Sequence, residues 1–277
     1  MNKTIPLTVR GITAWRQDLW SNPHIARPGL QDSPSLLAAW HMDPPFAQPN
    51  GIDALPGMKP ASQRNAIPIY DFADQRVTHH VLDRLPGRTG TLRAIGAFLN
   101  TFAFECFIDE LAHAAGLDPV ELRLRHLSDA RGIAVIKAAC DRAGLTANRP
   151  RDGVHGMGIG FARYSNEASY AAVVAEVEAG DTIRVVRVVA AVDCGRTINP
   201  DGVANQVEGG VVQAISFAMK EQVRFDRTRI TSRSWETYGS SVIGRGRSRR
   251  RSGGRGDRQR RVRCDRCPCP GSAADAG

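Results

Sequence analysis

The chain has 277 residues, of which 42% are hydrophobic and 23% charged, and its formal net charge is +9. This length and apolar content allow one or two domains with sizeable cores, which excludes a disordered chain. No run approaches the roughly 18 apolar residues of a membrane helix, and the N-terminus lacks the basic and apolar regions of a signal peptide. We therefore expect a cytoplasmic protein with no membrane span.

The positive charge is concentrated near the C-terminus. Residues 242–277 contain 11 Arg, no Lys and three Asp, which leaves 26 basic and 25 acidic side chains in 1–241. Because the last segment has no apolar periodicity, we predict a folded domain over 1–241 and a disordered tail over 242–277. A tail rich in Arg, Gly, Cys and Pro that begins so abruptly is what a shifted reading frame in GC-rich DNA produces.

An Arg-rich tail leaves open a second class of function, the binding of RNA or DNA. Neutralisation of phosphates would give salt-dependent affinity without sequence specificity. The tail contains no Phe or Tyr to stack on bases, and the rest of the chain is close to neutral. Nucleic acid is therefore the weaker alternative, which deletion of 242–277 would test.

The cysteines do not form a disulfide framework. Three of them, Cys106, Cys140 and Cys194, are scattered through apolar contexts, which predicts reduced and buried thiols. The other three lie within 264–269, where no second pair of ligands completes a zinc site. We predict no metal site in this chain from its own ligand spacing.

The first 90 residues are rich in turn formers, with short strand candidates at 7–15 (LTVRGITAW) and 35–42 (SLLAAWHM). Helices follow. Apolar residues at helical spacing predict a helix over 101–115 that stops at Gly116, and Asp118-Pro119-Val120-Glu121 is typical of a capping box that begins a second helix. A third helix is predicted over 131–143.

The second half of the chain changes to a strand pattern. β-branched residues predict strands over 171–178 and 182–192, joined as a hairpin. Apolar positions from 207 to 218 indicate another helix, and a second hairpin is predicted about 226–228. The order of elements predicts an α+β or mixed α/β fold, with mainly antiparallel strands in the second half.

Two segments carry candidate binding chemistry. Arg93 and Gly96 precede a helix, where a guanidinium and backbone N–H groups suit an anion or a heterocycle edge, although an Arg at this place is more often simply solvated. Gln206 precedes Gly209 and Gly210, two helix glycines that cost about 1 kcal/mol each and indicate close approach of a ligand or of another helix.

Other reactive side chains lack partners at a useful spacing. His24, His79 and His80 have no metal-ligand pattern around them, so we expect structural or solvent roles. Cys194 begins a turn rich in Gly, Asn and Pro, and no base is implied near it. The sequence therefore identifies no catalytic residue.

The blocks TLRAIGAFLNTFAFECFIDELAHAAGLDPVELRLRHL and DCGRTINPDGVANQVEGG resemble the molybdenum-binding large subunit of the xanthine dehydrogenase/aldehyde oxidase family, in particular the isoquinoline 1-oxidoreductase beta-subunit type. The resemblance covers roughly residues 10–238. It implies a partial molybdopterin-binding domain, a molybdenum–pterin dinucleotide, and a small [2Fe–2S] partner subunit. The implied reaction is hydroxylation of a small aldehyde or N-heteroaromatic substrate with oxygen from water.

The resemblance also assigns residues by position. Arg93, Gly96 and Gln206 match cofactor-binding positions of the family. Ile95 stands where some relatives have a Phe that stacks on the substrate, and Arg76 stands where relatives place a substrate-facing Arg.

Three departures from the family pattern shape our expectation of activity. Family members are much longer, the upstream Gly-Gly-Phe-Gly loop is not found, and the resemblance stops at Tyr238, before the Gly-x-Gly-Glu motif that carries the catalytic base. We therefore expect a piece truncated at both ends that is inactive alone. The alternative is a non-catalytic scaffold for an iron–sulfur subunit.

Overall fold

The computed structural model describes residues 3–4, 7–8, 11–24, 37–46, 53, 61–82, 90–146 and 152–239. Two compact units divide the chain: unit 1 comprises Met1–Ile133 and Gly160–Tyr170, and unit 2 comprises Ala134–Ile159 and Ala171–Gly277. The predicted disordered tail, 242–277, lies outside the described residues.

Unit 1 begins with short strands and one longer parallel pair. The strands are β1 (Lys3–Thr4), β2 (Leu7–Thr8), β3 (Gly11–Ile12), β4 (Ala14–Ser21) and β5 (Asp74–Val81). β5 runs parallel to β4 over its whole length, and β1 pairs with the other side of β4 in antiparallel fashion. The strand predicted over 7–15 is therefore split among β2, β3 and the start of β4.

The strand predicted over 35–42 is wrong, because the chain forms a 3₁₀ helix at Leu37–His41. Ala39 and Trp40 are both buried, while their neighbours Ala38 and His41 are exposed. Two adjacent buried residues do not fit the alternation of a strand, in which successive side chains point to opposite faces.

The three predicted helices are confirmed: α1 is Gly96–Ala115, α2 is Pro119–Arg125 and α3 is Ala130–Ala143. α1 begins more than one turn before the predicted start at 101, and α3 begins one residue before its predicted start. α1 ends at Gly116, which adopts the left-handed conformation with φ 66°. Asp118 Oδ1 accepts hydrogen bonds from the backbone N–H groups of Val120 and Glu121, at 2.9 and 3.0 Å. These contacts satisfy donors that a helix start would leave unpaired.

Aromatic residues form the core of unit 1. Trp15 on β4 is 1% exposed and stacks on Phe72, with ring centroids 5.1 Å apart. Phe104 of α1 meets Tyr70 edge to face, and Tyr70 also contacts Phe161. The core therefore joins the parallel strands to one side of α1.

The second half of the chain contains a three-stranded sheet in the order β6 (His155–Arg163), β7 (Tyr170–Ala179) and β8 (Ile183–Asp193). Its β7–β8 hairpin was predicted, and β6 was not. In unit 2, Arg187 of β8 donates to the backbone carbonyls of Arg142 and Ala143, at 3.1 and 3.3 Å. A cation at the C-terminus of α3 complements the negative end of the helix dipole.

The last described elements are α4 (Pro200–Met219) and the single turn α5 (Trp235–Tyr238). The second predicted hairpin is confirmed at its turn, where the antiparallel bridge Phe225↔Ile230 forms and Thr231 N donates to Arg224 O at 2.8 Å, but its two arms are not extended strands. Ser234 Oγ accepts from the backbone N–H of Thr237 and so begins a helix where a strand was expected.

The mixed α/β fold class is confirmed. The helices that the structure describes include none with the length and hydropathy needed to span a bilayer. One prediction about cysteines is corrected: Cys140 is buried, but Cys106 and Cys194 are exposed.

Candidate functional site

A strained turn precedes α1. Ala94 has φ 71° and Ile95 has φ 55° with ψ −137°. Positive φ is uncommon for residues other than glycine, and for a β-branched residue it is an outlier that clusters at functional sites. Ile95 N donates to Leu92 O at 3.0 Å, which closes the turn.

Gly96, the first residue of α1, is required by a close backbone contact. Its N–H donates to Ala61 O at 3.1 Å, and a Cβ added to it would lie 2.0 Å from Ser62 O. One helical turn later, buried Asn100 donates from Nδ2 to Ser62 O at 3.0 Å and to Arg64 O at 2.9 Å. The segment 61–64 therefore fixes both the turn and the first helical turn of α1.

The structure brings three predicted site residues together on this turn. Arg93 is exposed, Ile95 is half-buried and Gly96 is buried. An exposed guanidinium at the start of a 20-residue helix suits an anionic or hydrogen-bonding ligand.

Arg76 lies on β5 and is exposed. It stands in register opposite Arg16 of β4. Side chains alternate along a strand, so Arg76 points to the opposite face from His79, whose ring contacts Ser62. The structure therefore places Arg76 on the sheet face that does not carry the Ser62 segment, and its role facing a substrate stays a prediction.

Gln206 lies on α4 in unit 2, whereas the turn lies in unit 1. Gln206 and Gly209 are both exposed, and they are one helical turn apart. A Cβ added to Gly209 would meet no atom within 4 Å. No described residue packs against this glycine, and among the described residues the space beside it is open.

Sequence analysis missed a half-buried polar cluster beside the strained turn, which we call the Asp53 cluster: Asp53, Ser62, His79, Ser21 and His24. Its members come from separate segments of unit 1, so no local spacing indicates it. The two histidines were expected to have structural or solvent roles, and His79 does have a structural one.

Within the part of the chain that the structure describes, no three His, Cys, Asp or Glu side chains are grouped so that they could hold a metal ion. Cys194 Sγ lies 3.5 Å from Thr197 Oγ1. Arg93 in unit 1 and Gln206 in unit 2 are exposed side chains that can each form hydrogen bonds with a ligand, whereas the N–H of Gly96 already donates to Ala61 O.

Comparison with known proteins gives the family. The sequence model described as "Molybdopterin cofactor-binding domain" matches residues 108–244. The nicotinate dehydrogenase of Pseudomonas putida has a subunit that is 38% identical over 203 residues, covering 68% of this chain and 17% of that protein. The beta subunit of isoquinoline 1-oxidoreductase from Brevundimonas diminuta is 30% identical over 242 residues, covering 80% of this chain and 30% of that protein.

A solved structure shares the fold. The Cu,Mo-CO dehydrogenase in its carbon monoxide-reduced state superposes with a TM-score of 0.59 at 12% identity, over 86% of this chain and 53% of that one. The chain spans less than a third of the length of either curated relative. It belongs to the family of molybdopterin cofactor-binding domains found in the large subunits of xanthine dehydrogenase-type molybdenum hydroxylases.

Proposed function

We propose that this chain supplies part of the cofactor and substrate walls of a molybdenum hydroxylase, which adds water-derived oxygen to an aldehyde or an N-heteroaromatic compound. The observation that carries the proposal is the strained turn before α1, which presents Arg93 and Ile95 and is fixed by Gly96. Two relatives are named for nicotinate and isoquinoline, both N-heteroaromatic compounds, which supports that substrate class.

Each unit carries a residue whose chemistry suits a molybdenum–pterin dinucleotide, Arg93 in unit 1 and Gln206 in unit 2. Arg93 offers a planar set of donors for a phosphate, and Gln206 both donates and accepts, as a pterin edge requires. Gly209 leaves open the space beside Gln206 that a side chain would fill. When bound, the cofactor supplies the redox chemistry.

The substrate wall is assigned to two residues. Ile95 would offer an apolar surface to a ring. Arg76 would pair with an anionic substituent, on the sheet face that does not carry the Ser62 segment. A small [2Fe–2S] subunit would accept the electrons from the cofactor.

A cytoplasmic location stays a prediction. One relative at 26% identity is named a membrane-bound aldehyde dehydrogenase.

We propose further that the chain alone has little or no hydroxylase activity, since it spans only part of the relatives' length and no described residue is assigned as a base. The test is molybdenum per polypeptide, measured by mass spectrometry of the metal after expression in a host that makes the cofactor. The chain is purified alone and after co-expression with the neighbouring reading frames. Near-stoichiometric metal in the co-expressed sample supports the proposal that the chain forms part of the cofactor wall, and absence of metal from both samples overturns that proposal. Turnover of an aldehyde or an N-heteroaromatic compound by the chain purified alone would overturn the proposal that it is inactive.

Gly209 allows a sharper test of the cofactor wall. Gly209→Ala should stabilise α4 by about 1 kcal/mol, because alanine is the better helix former. The same change should lower the molybdenum content of the co-expressed protein, because the methyl group enters the space beside Gln206. The control is Glu208→Ala, an exposed position that lies roughly 200° around the helix from Gln206. Equal metal content in both variants would contradict the assignment of Gln206 and Gly209.

A further inference from the structure

Arg64 is the last residue of the segment 61–64 that fixes the strained turn, and its guanidinium packs on a tyrosine. Arg64 Nη1 donates to the Tyr164 hydroxyl at 2.8 Å, and Arg64 Cζ lies 5.6 Å from the centre of the Tyr164 ring. Tyr164 begins the 3₁₀ turn Tyr164–Asn166 that follows β6, and both residues belong to unit 1. The guanidinium and the phenol therefore form one pair although 100 residues separate them in the sequence.

Hydrogen bonds hold both sides of this pair. The carbonyl of Arg64 accepts from Asn100 Nδ2 of α1 at 2.9 Å. Asn65 Nδ2 donates to Arg163 O, and Asn65 Oδ1 accepts from Ser165 N, both at 2.8 Å. The segment that fixes the strained turn before α1 is therefore bonded, through its next residue, to the 3₁₀ turn after β6.

Backbone strain is concentrated around these two turns. Outside glycine, the described part of the chain has positive φ at five residues, which are Asn65, Ala94, Ile95, Ser165 and Asn166. Asparagine tolerates this region of φ and ψ, whereas the other residue types adopt it rarely. Such conformations persist where the surroundings over-determine them, and they cluster at ligand-binding sites. The turn that carries Tyr164 shares this feature with the turn that carries Arg93.

The positive charge of Arg64 has no carboxylate partner among the residues that the structure describes. The guanidinium donates to the Tyr164 hydroxyl, and its Nε is buried without a hydrogen-bond partner. Because the hydroxyl accepts from Arg64, its own proton remains available to a ligand. Tyr164 is 38% exposed, so a ligand can reach it from solvent. A half-buried cation beside an O–H donor favours an anion as the missing partner.

We propose that Arg64 and Tyr164 bind the carboxylate of an aromatic substrate. One guanidinium balances the single negative charge of a carboxylate, whereas a phosphate group carries about two charges at pH 7. The guanidinium supplies planar N–H donors, the hydroxyl supplies one more, and the Tyr164 ring offers an aromatic surface beside them. The choice of ligand rests on the proposed function, and one relative is named for nicotinate, an aromatic carboxylate. Arg64 would thus favour acidic over neutral substrates.

The test is a titration of the full chain with nicotinate, without cofactor, followed by NMR of tyrosine labelled with ¹³C at Cε. The chain has four tyrosines, and Tyr164→Phe identifies the signal of Tyr164. We expect this signal to shift saturably with nicotinate and with benzoate, but not with nicotinamide, which has the same ring and no charge. Absence of a saturable shift with nicotinate, an equal response to nicotinamide, or tighter binding of inorganic phosphate overturns the proposal.

Variants separate Arg64 from other cations. Arg64→Gln should weaken nicotinate binding by about tenfold or more, because it removes hydrogen bonds to a charged group. Arg64→Lys keeps the charge without the planar donors and should weaken binding less, which covers the case in which Arg64→Gln does not fold. Arg125→Gln, which removes an exposed cation of α2, is the matched control and should leave binding unchanged.

Unchanged binding in Arg64→Gln and Arg64→Lys, or loss of binding in Arg76→Gln instead, contradicts the assignment. None of these outcomes depends on molybdenum content, which tests the proposed function separately.

Discussion

Glu105 is a buried side chain of α1 that accepts hydrogen bonds from three residues. Its Oε1 accepts from the Tyr70 hydroxyl at 2.6 Å, and its Oε2 accepts from Arg123 Nε at 3.0 Å and from Phe161 N at 2.8 Å. Arg123, which is fully buried, also reaches Asp109 at 2.6 Å. Burial raises the pKa of Glu105, and the attraction of Arg123 opposes this change. The network joins α1, α2 and β6 at one carboxylate.

Arg123→Met should therefore destabilise the protein by about 3–5 kcal/mol, because it leaves a buried carboxylate without its cation. The loss should be larger at about pH 8 than at about pH 5. Since the folded-state pKa of Glu105 lies above its ordinary value, stability from this group is lost as pH rises through that pKa, and removal of Arg123 raises the pKa further. Urea unfolding at the two pH values measures the difference.

Arg125→Met is the control for this prediction. Arg125 pairs with Glu121 four residues earlier on the exposed side of α2. Such a surface pair contributes about 0.5 kcal/mol. Losses of the same size in Arg123→Met and Arg125→Met, or a loss for Arg123→Met that is greater at the lower pH, would argue against the network as described.

At the scale of elements, α1 has a glycine at each end for a different reason. Gly96 is fixed by contact, since its Cβ would overlap the Ser62 carbonyl, whereas Gly116 is fixed by its positive φ in open space. The sequence indicates the second role, because a glycine after an apolar repeat is a common helix stop. It does not indicate the first, because the partner carbonyl lies in a distant part of the chain.

The two ends should respond differently to alanine. Gly116→Ala should cost about 1 kcal/mol, the penalty of a side chain in the left-handed region. Gly96→Ala should cost about 3 kcal/mol, because the backbone of 61–62 or of α1 has to move. Thermal unfolding of both variants makes the comparison, and a greater loss for Gly116→Ala would be inconsistent with the contact at Ser62.

Features that depend on neighbouring residues could be predicted from the sequence, and features that depend on contacts with distant segments could not. Helix ends that depend on neighbouring residues, such as the cap at Asp118, follow from the sequence. The strand predicted over 35–42 and the extended arms of the second hairpin are wrong, because short apolar runs fit several structures equally well. At the candidate site, Arg93 and Gly96 could be selected from their place before a helix. The Asp53 cluster could not, because its members meet only through tertiary contacts.

For the whole molecule, the distribution of charge sets the expected contacts with polyanions. Residues 242–277 account for most of the net charge of +9, and the remainder of the chain is close to neutral. Deletion of 242–277 should therefore reduce the salt concentration needed to elute the chain from heparin, since affinity for polyanions depends on the number of phosphate or sulfate groups neutralised. Unchanged elution would place the basic surface elsewhere, and circular dichroism of both forms checks that 1–241 still folds.

The parallel pairing of β4 with β5 has a consequence for the order in which the chain folds. The two strands are separated by residues 22–73, and they meet along their full length beside the buried ring of Trp15. Closing so long a connection carries an entropy cost before any pairing can offset it, and such non-local contacts slow folding. During synthesis on the ribosome, β4 is made before β5. Side chains of β4 such as Trp15 can therefore reach their final packing only after β5 has been synthesised.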